Sequence, residues 1–266
     1  MNEENKEKKY INLIESIKII ETLRSENGCK WDREQTHKSL RTNILEEAYE
    51  TVDAIDSCDI TNLKEELGDV LLQVLLHSQI AKDNDRFDIE DVARVLNEKL
   101  IRRHPHVFGD VKVKDSDDII KNWEKIKKEE KKDKRKSLMD GISKSQSALL
   151  SALKISKKAV SVGFEWQNEN QLYDCIKSEF NEFKEAKTYD DKEDEFGDIL
   201  FAVVNLARYN KINPELALIR ANKKFMARFK KMEELSNKPL ETLSFEEYDK
   251  LWQNAKEILS SELKLN

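Results

Sequence analysis

Eight acids in this chain fall into two sets of four at matched spacing. The first set is Glu47 and Glu50 in LEEAYETVDA (45–54), followed by Glu66 and Asp69 in LKEELGDVLL (63–72). The second is Glu179 and Glu182 in KSEFNEFKEA (177–186), followed by Glu195 and Asp198 in KEDEFGDILF (192–201). Residues three apart on a helix project from one face. Each pair is therefore a two-carboxylate claw, and two such helices packed antiparallel bring four carboxylates to one spot. Around Glu66 and Asp69 stand Leu63, Leu67, Val70, Leu71, Leu72 and Val74, an apolar setting in which clustered negative charges repel unless a cation or protons offset them. Oxygen ligands without clustered His or Cys select hard divalent cations over zinc. The expected ion is Mg²⁺, with Mn²⁺ as an alternative, held once by Glu47, Glu50, Glu66 and Asp69 and again by Glu179, Glu182, Glu195 and Asp198. Spacing leaves open which carboxylate serves as general base.

A carboxylate-held cation of this kind commonly meets phosphate oxygens, and cationic side chains complete the cradle. Lys99 and Arg103 are i and i+4 on one predicted helix face, and Lys224 and Arg228 repeat that spacing. Trp123 with Lys127, and Trp252 with Lys256, place an indole one turn from an ammonium. The indole suits stacking on a base and the ammonium suits phosphate. Neither a Walker A sequence, nor GxGxxG, nor a CxxC set competes for the role.

The elements that must position these residues come as a tandem duplication. EELGDVLLQVLLHSQI (65–80) aligns without a gap on DEFGDILFAVVNLARY (194–209), and NEKLIRR (97–103) falls on NKKFMAR (222–228). Asp69 precedes Trp123 by 54 positions, and Asp198 precedes Trp252 by 54. Each acidic segment is also preceded by a tryptophan, Trp31 in GCKWD and Trp166 in VGFEW. The expected domains are 1–128 and 147–266, joined by a charged linker over 129–146 whose first part reads as a frayed, solvated helix end.

Every segment of both copies reads as helix. Three-to-four apolar spacing runs through 10–23, 39–56, 61–81, 89–103 and 116–130, with Thr61 as the expected cap of the third. Six Gly and three Pro in 266 residues leave few breakers, as long helices require. The 61–81 segment is apolar on most faces, which predicts burial on several sides at the centre of a bundle. The fold class is all-α, two tandem helical bundles. The central helices carry more apolar surface than one copy covers, so a homodimer is expected.

A net charge of −6 argues against a nucleic-acid partner. Cys29, Cys58 and Cys175 have no metal-ligand spacing and suit reduced thiols, the polar start MNEENKEKKY lacks the apolar core of a signal peptide, and no apolar run is long enough to span a membrane. Together these predict a cytoplasmic protein without a membrane partner. In RRHPHVFGD (102–110), Pro105 and Gly109 mark a turn, so His104 and His106 are expected to fix the loop or touch phosphate. His77, on the apolar helix, is expected to be a hydrogen-bonded core or interface residue.

Taken together, WDREQTHKSL, LEEAYETVDAI, LKEELGDVLLQV, KLIRRHPHVFGDV and NWEKIKKEE resemble the tandem-domain MazG nucleoside triphosphate pyrophosphohydrolases, and VGFEW, EDEFGDILFAVVNLAR, NKKFMARF and LWQNAK resemble the second domain of the same family. The resemblance covers about residues 10–260. It implies Mg²⁺-dependent hydrolysis of NTPs or dNTPs to the monophosphate and pyrophosphate, by an all-α dimer whose bundles share helices around the sites. It maps the metal acids onto both quartets and the nucleotide contacts onto Lys224, Arg228, Trp252 and Lys256. One position departs: the family's adjacent acid pair is Glu46–Glu47 in the first copy and Ser178–Glu179 in the second. The resemblance favours the second copy as the active one, whereas the motif is more complete in the first. The competing readings are a non-catalytic nucleotide-sensing or protein-binding helical scaffold, and a relative confined to one special nucleotide.

Overall fold

The computed structural model describes residues 10–130, 132 and 136–262, without the side chain of Glu262; residues 1–9 of the polar start and residues 131 and 133–135 of the charged stretch lie outside the described residues. No strand occurs among the described residues. The chain divides into two compact units, Met1–Glu130 and Lys131–Asn266.

The first unit is built from α1 (Ile11–Arg24), α2 (Lys30–Glu34), α3 (Arg41–Asp56), α4 (Ile60–Lys82), α5 (Ile89–Arg103), α6 (Pro105–Phe108) and α7 (Ser116–Glu129). The second contains α8 (Ala148–Val160), α9 (Glu169–Glu185), α10 (Tyr189–Tyr209), α11 (Pro214–Leu235) and α12 (Phe245–Glu262). Polar side-chain caps begin α4, α5 and α7 in the first unit and α8, α9, α10 and α11 in the second. Asp88 and Asp91 form a reciprocal capping box on α5, and Thr188 with Asp191 forms another on α10. Each such cap typically contributes about 1 kcal/mol. The cap of α4 is not the Thr61 expected from sequence. Asp59 accepts hydrogen bonds from the backbone N–H groups of Thr61 and Asn62, both at 3.0 Å. Cys58 adopts a left-handed backbone with φ of 57°, which delivers Asp59 to that position.

In each unit the dominant packing is one acidic hairpin, α3 on α4 in the first and α9 on α10 in the second. The connectors are short, Ser57–Asp59 and 186–188, so each pair must fold back on itself. The first unit's core is Ile20, Leu40, Leu75, Leu76 and Ile80, with Ile17, Leu23, Leu72 and Ile89 packed against it. It therefore gathers α1, the start of α5 and the second half of α4. In the second unit Leu153, Leu172, Ile199, Ala202, Val204, Met232 and Ala255 are buried.

The expectation of an α4 buried on several sides holds only for its second half. Leu67 is 52% exposed and Leu71 37%, and the matching residues of α10, Phe196 and Leu200, are 50% and 47% exposed.

Candidate metal and nucleotide site

The acidic hairpins set the geometry. Glu47, on α3, faces Glu66 and Asp69, on α4, and one carboxylate oxygen of each lies within 4.8 Å of the others. In the second unit Glu179 and Glu182, on α9, meet Glu195, on α10, within the same distance. Glu50 and Asp198 stand outside these triplets and are exposed. Their charge is still felt. Desolvation raises the proton affinity of Glu47 and of Glu66 above the ordinary carboxylate value, and Glu50 adds to both. Desolvation likewise raises Glu195, followed by repulsion from Glu182, Asp198 and Glu179. Among the described residues no Lys, Arg or His forms an ion pair with any of the eight acids. Converging carboxylates without a cationic partner offer the kind of oxygen donors that a hard divalent cation takes.

The two clusters differ at the position where Ser178 replaces an acid. Ser178 Oγ donates to Glu182 Oε1 at 3.0 Å, and the Cys175 thiol contacts Glu179 Oε1 at 3.6 Å. Burial pushes that thiol's pKa up, and the neighbouring carboxylates push it further.

Two arginines that sequence reading passed over fix the tryptophan segments. Arg24, whose side chain is 6% exposed, pairs with Asp83 at 2.8 Å and donates to the Asp32 carbonyl, beside Trp31. Arg208 grips Glu165 with two bonds of 2.6 and 2.5 Å and also donates to Ser156 Oγ; Glu165 in turn accepts from the N–H of Trp166. The loop leaving α1 needs Gly28, where a Cβ would sit 2.3 Å from the carbonyl oxygens of Thr22 and Leu23.

The basic and aromatic residues also pair up in both units. The Arg103 guanidinium lies over Trp123 at 5.4 Å, and that of Arg228 over Trp252 at 5.6 Å. Phe225 packs against Trp252 with ring centres 5.1 Å apart. Lys224 and Lys256 are exposed, whereas Lys99 is half-buried and Lys127 pairs with Glu124 at 3.1 Å. Glu130, expected to be part of a solvated helix end, instead pairs with Arg102 at 2.7 Å and Arg103 at 2.6 Å. Its alternating-charge neighbourhood disguised a buried partner.

His104 Nδ1 contacts the Leu100 carbonyl at 2.6 Å and its ring meets Trp123 edge-on, which fixes the loop; His106 lies 5.7 Å from it. His77 stacks on His37, with Nδ1 atoms 2.8 Å apart, and burial followed by His37 lowers its pKa. It is a hydrogen-bonded, half-buried residue, as its place on the apolar helix suggested.

Comparison with known proteins agrees with this geometry. Residues 35–108, which span Glu47, Glu50, Glu66 and Asp69, match the family described as the MazG nucleotide pyrophosphohydrolase domain. The nucleoside triphosphate pyrophosphohydrolase/pyrophosphatase MazG of Thermotoga maritima is 49% identical over 245 residues, covering 91% of this chain and 94% of that one. A nucleoside triphosphate pyrophosphohydrolase of Escherichia coli is 40% identical over 255 residues, covering 90% of this chain and 95% of its own. Identity at this level, running through both units and joined to a matched acid motif, establishes that the chain belongs to the MazG nucleotide pyrophosphohydrolase family.

Proposed function

We propose that this enzyme hydrolyses nucleoside triphosphates, ribo or deoxy, to the monophosphate and pyrophosphate in a Mg²⁺-dependent reaction, as a house-cleaning activity on the nucleotide pool. The observation that carries the reading is the twofold convergence of unpaired carboxylates, Glu47–Glu66–Asp69 and Glu179–Glu182–Glu195. Membership in a family of hydrolases favours turnover over the scaffold reading. The relatives' names supply the substrate class.

In this account Glu47, Glu50, Glu66 and Asp69 hold one ion, and Glu179, Glu182, Glu195 and Asp198 another. The chemistry such an ion supplies when bound is charge neutralisation on the triphosphate and a more acidic water. The chain does the rest. One of the carboxylates receives the proton of the attacking water as the α–β anhydride opens and pyrophosphate leaves. In the second unit Lys224, Arg228 and Lys256 hold phosphate oxygens while Trp252 offers its face to the base. In the first, Lys99, Arg103, Trp123 and Lys127 form the counterpart. Both units bind nucleotide, and the second carries most of the turnover. The test is pyrophosphate release from a panel of NTPs and dNTPs with Mg²⁺ and with excess chelator. Release that persists in chelator would rule the reading out.

The same reading includes a homodimer, without nucleic-acid or membrane partners, in the cytoplasm. No helix is long and apolar enough to cross a membrane among the described residues, and three free thiols, two of them exposed, suit a reducing compartment. The helix glycines Gly68 and Gly197 support the dimer. A helix-interior Gly costs about 1 kcal/mol relative to Ala, yet a Cβ at either position would meet nothing within 4 Å in the chain itself. Close approach of a second copy across Leu67, Leu71, Phe196 and Leu200 accounts for both glycines and the exposed apolar face. Gly68→Ala with Gly197→Ala is therefore expected to weaken dimerisation by ~10-fold or more in sedimentation, against the gain in helix propensity. A dimer of unchanged affinity with a higher melting temperature would contradict that packing.

A further inference from the structure

The two Arg–Trp pairs share a geometry but differ in what the arginine holds. In the first unit Glu130 presents both carboxylate oxygens to the guanidinium groups. Its Oε1 accepts from Arg102 Nε at 2.7 Å and from Arg103 Nε at 3.3 Å, while Oε2 accepts from Arg103 Nε at 3.2 Å and from Nη2 at 2.6 Å. Arg103 and Glu130 are both largely withdrawn from solvent, at 12% and 16% side-chain exposure. Hydrogen bonding from Arg103 holds the Glu130 carboxyl down at about 2. A guanidinium fork grips carboxylate and phosphate oxygens in the same way. Glu130 thus occupies the Nε–Nη2 edge of Arg103 and the Nε of Arg102, donors that a phosphate would use.

The second unit has neither half of this arrangement. Arg228 lies over Trp252, and no carboxylate pairs with it among the described residues. The register that matches NEKLIRR with NKKFMAR puts Ala227 at the place of Arg102. The offset of 129 that matches Trp123 with Trp252 and Lys127 with Lys256 puts Leu259 at the place of Glu130.

We propose that Glu130 is a built-in anion occupying the phosphate position of the first unit's Arg102–Arg103–Trp123 cradle, so that a triphosphate enters there only by displacing it. The second unit's cradle, with Leu259 in that position, is open. This rests on the reading of both cradles as nucleotide sites. It places the functional difference between the units in one carboxylate at the C-cap of α7, separate from the Glu46-to-Ser178 difference at the acids.

The test uses the full chain and a nucleotide that resists cleavage, α,β-methylene-ATP with Mg²⁺, read by calorimetry. With the second acid cluster neutralised, so that the first unit reports, Glu130→Gln is expected to tighten binding by ~10-fold or more, the scale of one charge-assisted contact. With the first cluster neutralised instead, Leu259→Glu is expected to weaken binding by a similar factor. Unchanged or weaker binding after Glu130→Gln, while the parent chain still binds, would overturn the proposal and make Glu130 a strut that orients Arg103. If Glu130→Gln loses its helicity, the Leu259→Glu arm decides, and undiminished affinity there overturns the proposal. Absence of binding by every chain, the unaltered one included, would instead bring down the nucleotide reading on which the proposal rests.

Discussion

Replacing Glu179, Glu182 and Glu195 together by Gln is expected to lower pyrophosphate release from the full chain by ~100-fold or more. Outer-shell changes at metal sites alone cost about 10–100-fold, and here the candidate ligands themselves lose their charge. The equivalent change in the first unit, Glu47→Gln with Glu66→Gln and Asp69→Asn, is expected to leave more than about half of the activity. The asymmetry follows from the cradles, since Arg228 is unpaired by any described carboxylate whereas Arg103 is held by Glu130. Both variants should keep their helicity because Gln and Asn preserve shape and relieve repulsion. Loss confined to the first-unit variant would reverse the assignment. Ser178, which donates to Glu182 where the first unit has an acid, would then be the chemical reason.

The metal-free protein is expected to lose stability as pH rises above the ordinary carboxylate value, in a way that Mg²⁺ reverses. Glu47, Glu66 and Glu195 all have raised pKa values in the folded chain, by desolvation first and then by their acidic neighbours. Just above the ordinary value of 4.5, the folded chain therefore binds more protons at these sites than the unfolded chain does. Stability falls with pH wherever that holds. Their contribution is fully present below 4.5 and is lost as pH climbs through the raised values. Other groups titrate in the same range, so the useful quantity is a difference. In chelator, the cluster-neutralised variants should melt with the parent at low pH and above it near neutrality. Saturating Mg²⁺ should stabilise the parent alone. A gap that does not change with pH, or Mg²⁺ stabilisation that survives loss of both clusters, would place the cation elsewhere.

How much of this was legible in the sequence varied with the range of the interaction. The duplication and the acidic hairpins could be read because Glu66, Asp69 and Trp123 recur as Glu195, Asp198 and Trp252 in one register. Helix limits followed from apolar spacing to within a residue or two, as in Ile89–Arg103 and Ser116–Glu129. The α4 cap was misread because Cys58's left-handed backbone has no local signature of the kind that Gly or Asn would give. The clamps Arg24–Asp83 and Arg208–Glu165 were missed because their partners lie 59 and 43 positions away. Glu130 was missed because alternating charges look the same whether solvated or paired. The apolar pattern of α4 said that its faces need covering, but periodicity does not say by which chain. Leu67 and Leu71 are left exposed by their own unit.

The central claim is cleavage of the α–β bond in a reaction that depends on the carboxylate-held ion. It is tested most directly by following a nucleoside triphosphate with ³¹P NMR in the presence of Mg²⁺, with the unaltered chain and with the variant lacking both acid clusters. The account predicts monophosphate and pyrophosphate in equal amounts from the unaltered chain, and an unchanged triphosphate spectrum from the variant or in excess chelator. Diphosphate and inorganic phosphate as products, or equal turnover by the variant, would contradict it.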